Sequence, residues 1–148
     1  MKVPFLLGRL IYGGYFLYAG INHFRNPRKL AAYTVSRHVP FPGMAVTVSG
    51  AMLTLGGLSV LLGLKPKYGI LAIAGFLAAV SPVMHRFWGS LSAEEREGAM
   101  VHFAKNMALL GAGLGMLGTE EPWPVSVPVE APAKLVGQAR DTARRLAA

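Results

Sequence analysis

Four apolar stretches divide this chain, and polar loops separate them. The stretches cover residues 3–22, 44–64, 68–84 and 100–117. A helix needs about 20 mostly apolar residues to cross the hydrocarbon of a bilayer, and the second stretch contains no charged residue. The pattern therefore predicts an all-α integral membrane protein whose four helices alternate in direction and form an antiparallel bundle.

Two residues interrupt the apolar pattern. Arg9 lies inside the first stretch, where we expect its long side chain to extend back to the membrane surface. The same residue breaks the apolar core that a signal peptide would need. Pro82 removes a backbone donor near the end of the third stretch and therefore predicts a bend there.

The connections predict which helix ends lie together. Lys65-Pro66-Lys67 forms a tight turn between the second and third stretches, whereas the longer loops 24–43 and 85–99 lie on the opposite face. In the later loop, Ser92 and Glu95 have the spacing of a capping box. This spacing predicts a short surface helix ahead of the fourth span.

The chain changes character after Gly118, which divides a membrane domain (1–118) from a tail (119–148). Four prolines predict an extended linker that uncouples the tail from the bundle: Pro122, Pro124, Pro128 and Pro132. Residues 133–146 return to helical spacing with basic residues on one side. They predict a short C-terminal amphipathic helix on the membrane surface, and a solvated tail is the alternative.

Composition agrees with a membrane protein and limits its chemistry. Only 15% of the residues are charged and 53% are hydrophobic, whereas a soluble domain carries about 25% charged residues. The net charge of +8 lies in loops and tail, which favours contact with anionic membrane lipids over nucleic acid. Because the chain has no cysteine, any redox role requires a bound cofactor, quinone, metal or partner protein.

A polar cluster is the strongest functional signal. Alternation of the four spans brings three of the four histidines to one membrane face, together with amides and cations. Ionisable residues at the mouth of an apolar bundle are candidates for a functional site. The candidate ligand-binding residues are Tyr18, Asn22, His23, His85, Arg86, His102, Lys105 and Asn106.

Geometry along the helices sharpens this expectation. His102, Lys105 and Asn106 are spaced i, i+3 and i+4 and share one helix face. We expect His23 and His102 to reach one shared ligand, with His85 or Arg86 closing the third side. We also expect Lys105 to face the bundle mouth, because an unpaired charge toward lipid costs at least about 2.5 kcal/mol.

Three interpretations of the cluster stay open. The polar side chains could serve structure alone, by satisfying helix ends at the membrane interface. They could instead bind a small amphiphile such as a quinone, or a small anion. A haem or metal site is less favoured, because nearby cations oppose a metal ion and no carboxylate lies beside the histidines.

Two other classes of function also stay open. A non-catalytic assembly role would use the small-residue stripe with Gly111 and Gly115. Transport of a small solute would require a homo-oligomer, because four spans without an inverted repeat do not enclose a pathway.

Four short motifs give the chain its resemblance to a known family. It resembles the DoxX family of four-helix membrane proteins over roughly residues 5–118, through LYAGINHF (17–24), PFP (40–42), MHRFW (84–88) and HFAKN (102–106). The resemblance implies a multi-pass protein of the prokaryotic cytoplasmic membrane. It also implies redox work with partner proteins, since some relatives are subunits of thiosulfate:quinone oxidoreductase.

Overall fold

Helices make up the regular structure of the part of the chain that the computed structural model describes, residues 2–89 and 91–127. The five helices are α1 (Lys2–Arg25), α2 (Pro27–Ser36), α3 (Pro42–Leu62), α4 (Pro66–Met84) and α5 (Ala93–Leu117). These described residues contain no strand. The all-α prediction is therefore confirmed.

Helix α2 is the main element that the sequence analysis missed. It begins at Pro27, whose missing N–H and fixed φ suit the first position of a helix. The sequence analysis treated this segment as a loop because prolines bracket it. In the structure α2 lies against α3, so the loop after α1 contributes a packed helix to the bundle.

Helix α5 corrects a second expectation. Ser92 and Glu95 do form a capping box: the Glu95 N–H donates to the Ser92 hydroxyl (3.2 Å), and the Ser92 N–H donates to the Glu95 carboxylate (3.0 Å). The expected short surface helix is not separate, however, because α5 runs without interruption from Ala93 to Leu117. No proline or glycine pair lies there to break it.

The helices pack in the order α1, α3, α4 and α5. Glycines allow the closest approach, between α1 and α3. A Cβ atom on Gly57 would lie 2.8 Å from the Gly13 carbonyl oxygen, and one on Gly50 would lie 2.8 Å from the Cβ of His23. Small residues at such positions let helix backbones meet, and here they hold His23 against α3.

Helices α3 and α4 are the strongest membrane-spanning candidates. Among the described residues, these two helices are long and apolar enough to cross a bilayer, with mean hydropathies of 1.8 and 1.6 in their best windows. Helices α1 and α5 carry more polar residues, including Arg9 and Lys105. The bundle of four membrane-spanning helices therefore stays a prediction.

One end of the bundle is closed by a C-terminal strap, residues 119–127. The side chain of Trp123 is 2% exposed and meets the edge of Phe5 at 5.1 Å between ring centroids. The Val127 N–H donates to the Leu62 carbonyl at the end of α3 (2.9 Å). The expectation that prolines uncouple the chain after Gly118 is therefore wrong for these residues.

The strap also changes the account of Arg9, which is 2% exposed and does not extend to the surface. Its guanidinium donates to the Pro124 carbonyl (2.8 Å), the Val125 carbonyl (3.0 Å) and the Ser126 hydroxyl (3.3 Å). Backbone carbonyls thus take the place of water around this cation. The domain boundary at Gly118 stays a prediction, and the predicted amphipathic helix at 133–146 lies outside the described residues.

Candidate functional site

Two cavities lie side by side at the opposite end of the bundle. The first, here the His23 cavity, has a volume of about 260 Å³ and lies among α1, α2, α3 and α4. The second, here the histidine-pair cavity, has a volume of about 220 Å³ and is lined by His85 and His102. Tyr33 of α2 contributes to the walls of both cavities.

The His23 cavity is apolar over most of its wall. Its lining consists of His23, Leu30, Tyr33, Thr34, Val39, Ala45, Val46, Ser49, Phe76, Ala79, Val80, Val83 and Met84. Two of its polar groups are satisfied within their own helices: the Thr34 hydroxyl donates to the Leu30 carbonyl, and the Ser49 hydroxyl donates to the Ala45 carbonyl. The polar groups of the wall with hydrogen-bonding capacity left are the His23 ring and the Tyr33 hydroxyl, which accepts from the Arg37 guanidinium (3.4 Å) and can still donate.

The orientation of His23 fixes the role of each ring nitrogen. Its Nδ1 lies 2.8 Å from the Ala19 carbonyl oxygen. Because a carbonyl oxygen only accepts, Nδ1 carries the proton in this contact. In the neutral ring, Nε2 then holds a lone pair, and it has no hydrogen-bond partner among the described residues. The edge-to-face contact with Phe76, at 6.3 Å between ring centroids, holds the ring against α4.

The histidine-pair cavity is more polar. The rings of His85 and His102 stack at 5.0 Å between centroids, with an angle of 21° between their planes. Burial, together with the nearby positive charges of His102, Lys105 and Arg37, lowers the pKa of His85 to about 4. His85 is therefore neutral near pH 7, and protonation of both stacked rings is disfavoured.

Both signs of charge line the histidine-pair cavity, because Arg37 and Glu95 are both in its wall. The hydrogen bond from the Ser92 N–H lowers the pKa of Glu95, which keeps its carboxylate ionised at the start of α5. Among the described residues, no three His, Cys, Asp or Glu side chains are grouped as a metal site requires. Arg37 and the two imidazoles instead suit a small polar or anionic ligand.

Asn106 has a partner within the bundle. It is buried, and its amide donates to the Ser81 hydroxyl (3.2 Å), which in turn donates to the Leu77 carbonyl. This chain of hydrogen bonds joins α5 to α4. The geometry gives Asn106 a structural role.

The other candidate residues do not converge on one place. Tyr18, Arg86 and Lys105 are exposed, and Asn22 accepts a hydrogen bond from Asn26 (2.7 Å). His23 and His102 line different cavities, so the structure does not bring them to one shared cavity as we expected. The binding roles of all these residues stay predictions.

Helix α2 supplies the site residues that sequence reasoning missed. Tyr33, Thr34 and Arg37 all line one or both cavities. Their spacing from Leu30 follows i, i+3, i+4 and i+7, which is the signature of one helix face. That periodicity, together with Pro27 at the helix start, was the available signal for a helix in this loop.

These features define a small helical membrane protein with paired cavities at one end of its bundle. The chain belongs to the DoxX family, whose model matches residues 5–86, more than half of the chain. The match covers α1 to α4 and ends at Arg86, so α5 with His102, Lys105 and Asn106 lies beyond the matched residues. No curated protein and no solved structure matches the chain.

Proposed function

We propose that this DoxX-family protein crosses the prokaryotic cytoplasmic membrane four times, through α1, α3, α4 and α5. In this proposal it is a component of a membrane oxidoreductase and binds a quinone-like ligand in the His23 cavity. The observation that carries the proposal is the apolar cavity with one histidine nitrogen left for a ligand. Apolar walls with few polar groups are typical of small-molecule sites.

The cavity fits the ring of a quinone better than a whole lipid-soluble quinone. Its 260 Å³ lies near the lower end of the range for small-molecule sites, about 300 Å³. Its rim includes Ala79 and Val83, which are exposed on the outer surface of α4. A ligand with an apolar tail would therefore enter from the side of the bundle and leave the tail outside.

The polar groups of the cavity match both redox forms of such a ligand. The lone pair on Nε2 of His23 would accept a hydrogen bond from the hydroxyl of the reduced form, and the Tyr33 hydroxyl would donate to a carbonyl of the oxidised form. When bound, a quinone would supply two-electron chemistry. Because the chain has no cysteine, the electrons would pass to or from a redox partner protein.

Ligand analysis of the full-length protein purified in mild detergent tests the proposal. We expect an organic extract to contain a quinone, and added short-tailed quinone to raise the midpoint of thermal unfolding. His23→Leu should weaken the affinity for the added quinone about tenfold, because loss of one hydrogen bond in an apolar site costs on the order of 1.4 kcal/mol. His38→Gln, in an exposed loop position, is the matched control.

A filled cavity gives an independent variant. Ala79→Phe places a ring at the rim and should abolish quinone binding without loss of fold, because Ala79 is exposed. Unchanged quinone binding in both His23→Leu and Ala79→Phe would exclude the His23 cavity as the binding site.

An assembly role is the second candidate, and one observation favours it. Gly111 and Gly115 of α5 have no neighbouring atom within 4 Å of an added Cβ, so this stripe packs against none of the described residues. Another helix would meet little steric hindrance there. Gly111→Leu with Gly115→Leu should convert an oligomer to a monomer in detergent, as measured by light scattering; an unchanged mass would remove this candidate.

A further inference from the structure

A third cavity lies on the outer surface of the bundle, between α3 and α4. It is an open groove of about 460 Å³, larger than either cavity at the histidine end. Its lining consists of Val48, Ala51, Met52, Leu55, Gly56, Ser59, Lys65, Tyr68, Gly69 and Ala72. The lining is apolar except at the end beside the α3–α4 turn, where Ser59, Lys65 and Tyr68 lie.

The groove exists because small residues line its base. A Cβ atom on Gly69 would lie 2.7 Å from the Gly56 carbonyl oxygen, so α3 and α4 touch backbone to backbone here. Exposed side chains of Leu55 and Tyr68 rise on either side of that contact. The result is a groove with apolar walls between the two helices that are the best candidates to cross the membrane.

The length of the groove matches one leaflet of a bilayer. From Ser59 to Val48 along α3 the distance is about 17 Å, at 1.5 Å per residue. Half of the hydrocarbon core is about 15 Å thick. If α3 and α4 cross the bilayer with the turn at Lys65 at its surface, the groove extends to about the middle of the membrane, which is the depth that one acyl chain occupies.

The polar end of the groove carries positive charge. Lys65 and Lys67 flank Pro66 in the turn, and neither has a carboxylate partner among the described residues. The Ser59 hydroxyl donates to the Leu64 carbonyl (2.7 Å) and to the Lys65 carbonyl (3.2 Å), which fixes the turn above the groove. Lys65 lines this end of the groove, and Lys67 lies two residues farther along the chain. Cations at head-group depth attract a phosphate.

We propose that this groove is a binding site for an anionic phospholipid. One acyl chain lies between α3 and α4, and the phosphate of the same lipid contacts Lys65, with the positive charge of Lys67 two residues away in the same turn. The site lies on the outer surface of α3 and α4, at the other end of these helices from the histidines. The proposal depends on the membrane location of the DoxX family and on α3 and α4, and it is independent of quinone binding.

Native mass spectrometry of the full-length protein in detergent tests the proposal. We expect dioleoyl phosphatidylglycerol to bind more tightly than dioleoyl phosphatidylcholine, which has the same acyl chains and no net charge. Lys65→Gln with Lys67→Gln should weaken phosphatidylglycerol binding by about fivefold for each lysine, which corresponds to about 1 kcal/mol per cation. Arg28→Gln with Lys29→Gln, exposed on α2, is the control for charge alone.

A second pair of variants tests the acyl chain. Ala72→Leu fills the groove and should weaken the binding of both lipids, whereas Ala112→Leu on the exposed face of α5 should not. Millimolar inorganic phosphate should leave the lipid bound, because it lacks the chain. If Ala72→Leu does not fold, the lysine pair and the phosphate experiment still decide the proposal.

Four outcomes would overturn the proposal. The first is equal binding of the two lipids, and the second is an equal loss of phosphatidylglycerol binding in the lysine variant and its α2 control. The third is displacement of the lipid by phosphate, which would indicate a head-group site without the groove. The fourth is a dimer that Ala72→Leu abolishes, because a second copy of the chain would then occupy the groove.

Discussion

The two ends of the bundle differ in whether their polar side chains are hydrogen-bonded within the fold or line cavities. At the strap end, Arg9 is buried and its guanidinium donates to three acceptors of residues 124–126. At the histidine end, His23 and the histidine pair line cavities that reach the surface. The strap end pairs most of its polar groups within the fold, whereas the histidine end leaves Nε2 of His23 without a hydrogen-bond partner among the described residues.

If the proposed function holds, this difference separates the groups that stabilise the fold from the groups that bind the ligand. A buried polar group without partners costs free energy, so the strap satisfies most of the donors that it covers. A cavity also costs free energy, because the side chains in its walls lack van der Waals contacts on the side that faces the cavity. Changes at the strap end should therefore act on folding, and changes at the histidine end should act mainly on ligand binding.

The two tryptophans give the largest expected contrast. Trp123→Ala should lower the free energy of unfolding by about 3–5 kcal/mol, because the side chain is 2% exposed and its loss leaves a cavity under the strap. Trp88→Ala should have a much smaller effect, since that ring is 47% exposed at the histidine end. Thermal unfolding of both variants in detergent measures the difference; equal losses would break the comparison.

Glycines on α5 give the next contrast. A Cβ atom on Gly113 would collide with the Tyr12 hydroxyl, whereas one on Gly111 would meet nothing. Gly113→Ala should therefore destabilise the protein by about 1–3 kcal/mol through overpacking, and Gly111→Ala should not.

A second substitution tests the cause of that loss. The Tyr12 hydroxyl is buried and has no hydrogen-bond partner among the described residues, so Tyr12→Phe should be tolerated. It should restore part of the stability of Gly113→Ala, because the ring Cζ would still lie 3.1 Å from the added methyl group. Failure of this rescue would show that the Tyr12 ring and Ile70, and not the hydroxyl, resist the added methyl group.

Asn106 tests whether a polar residue outside the cavities contributes to stability and not to ligand binding. Asn106→Ala removes the hydrogen bond to Ser81 and should lower stability by about 1 kcal/mol, a typical value for such a bond between membrane helices. The affinity for quinone should be unchanged, since Asn106 does not line the His23 cavity. A variant with normal stability and weakened ligand binding would return Asn106 to the ligand site.

The smallest expected effect is a dependence of stability on pH from His85. Burial holds its pKa at about 4, below the ordinary value of 6.5, so the unfolded chain binds a proton at a higher pH than the folded chain does. Stability should therefore be constant above pH 6.5 and fall as the pH drops from 6.5 toward 4. His85→Gln should reduce the dependence of the thermal unfolding midpoint on pH between 6.5 and 4. His38→Gln, at an exposed position, is the control and should leave that dependence unchanged.

Local patterns in the sequence predicted much of the fold, for identifiable reasons. The second and third apolar stretches became α3 and α4 with ends shifted by two residues at most. Helix α3 ends two residues early, at Leu62, because Gly63 adopts a positive φ. Helix α2 was missed because prolines outweighed its weaker periodicity. The capping box at Ser92 was local and was therefore visible, whereas the strap depends on contacts more than 100 residues apart.

The sequence predicted which histidines lie at the same end of the bundle better than it predicted their arrangement. Alternating helices placed His85 and His102 together, and their rings do stack. Separation of His23 from this pair depends on α2, whose Tyr33 lies in the wall between the two cavities. Because α2 was not predicted, the wall that it forms was not predicted either. The structure therefore has two cavities where one site was expected.

The contact between Arg9 and the strap also sets an order of events during synthesis. Arg9 leaves the ribosome 115 residues before Pro124, its first carbonyl acceptor. At about 5–20 residues per second, the interval is roughly 6–23 s. Throughout that time the guanidinium must keep water or other temporary partners, so the strap end is the last part of the described bundle to close.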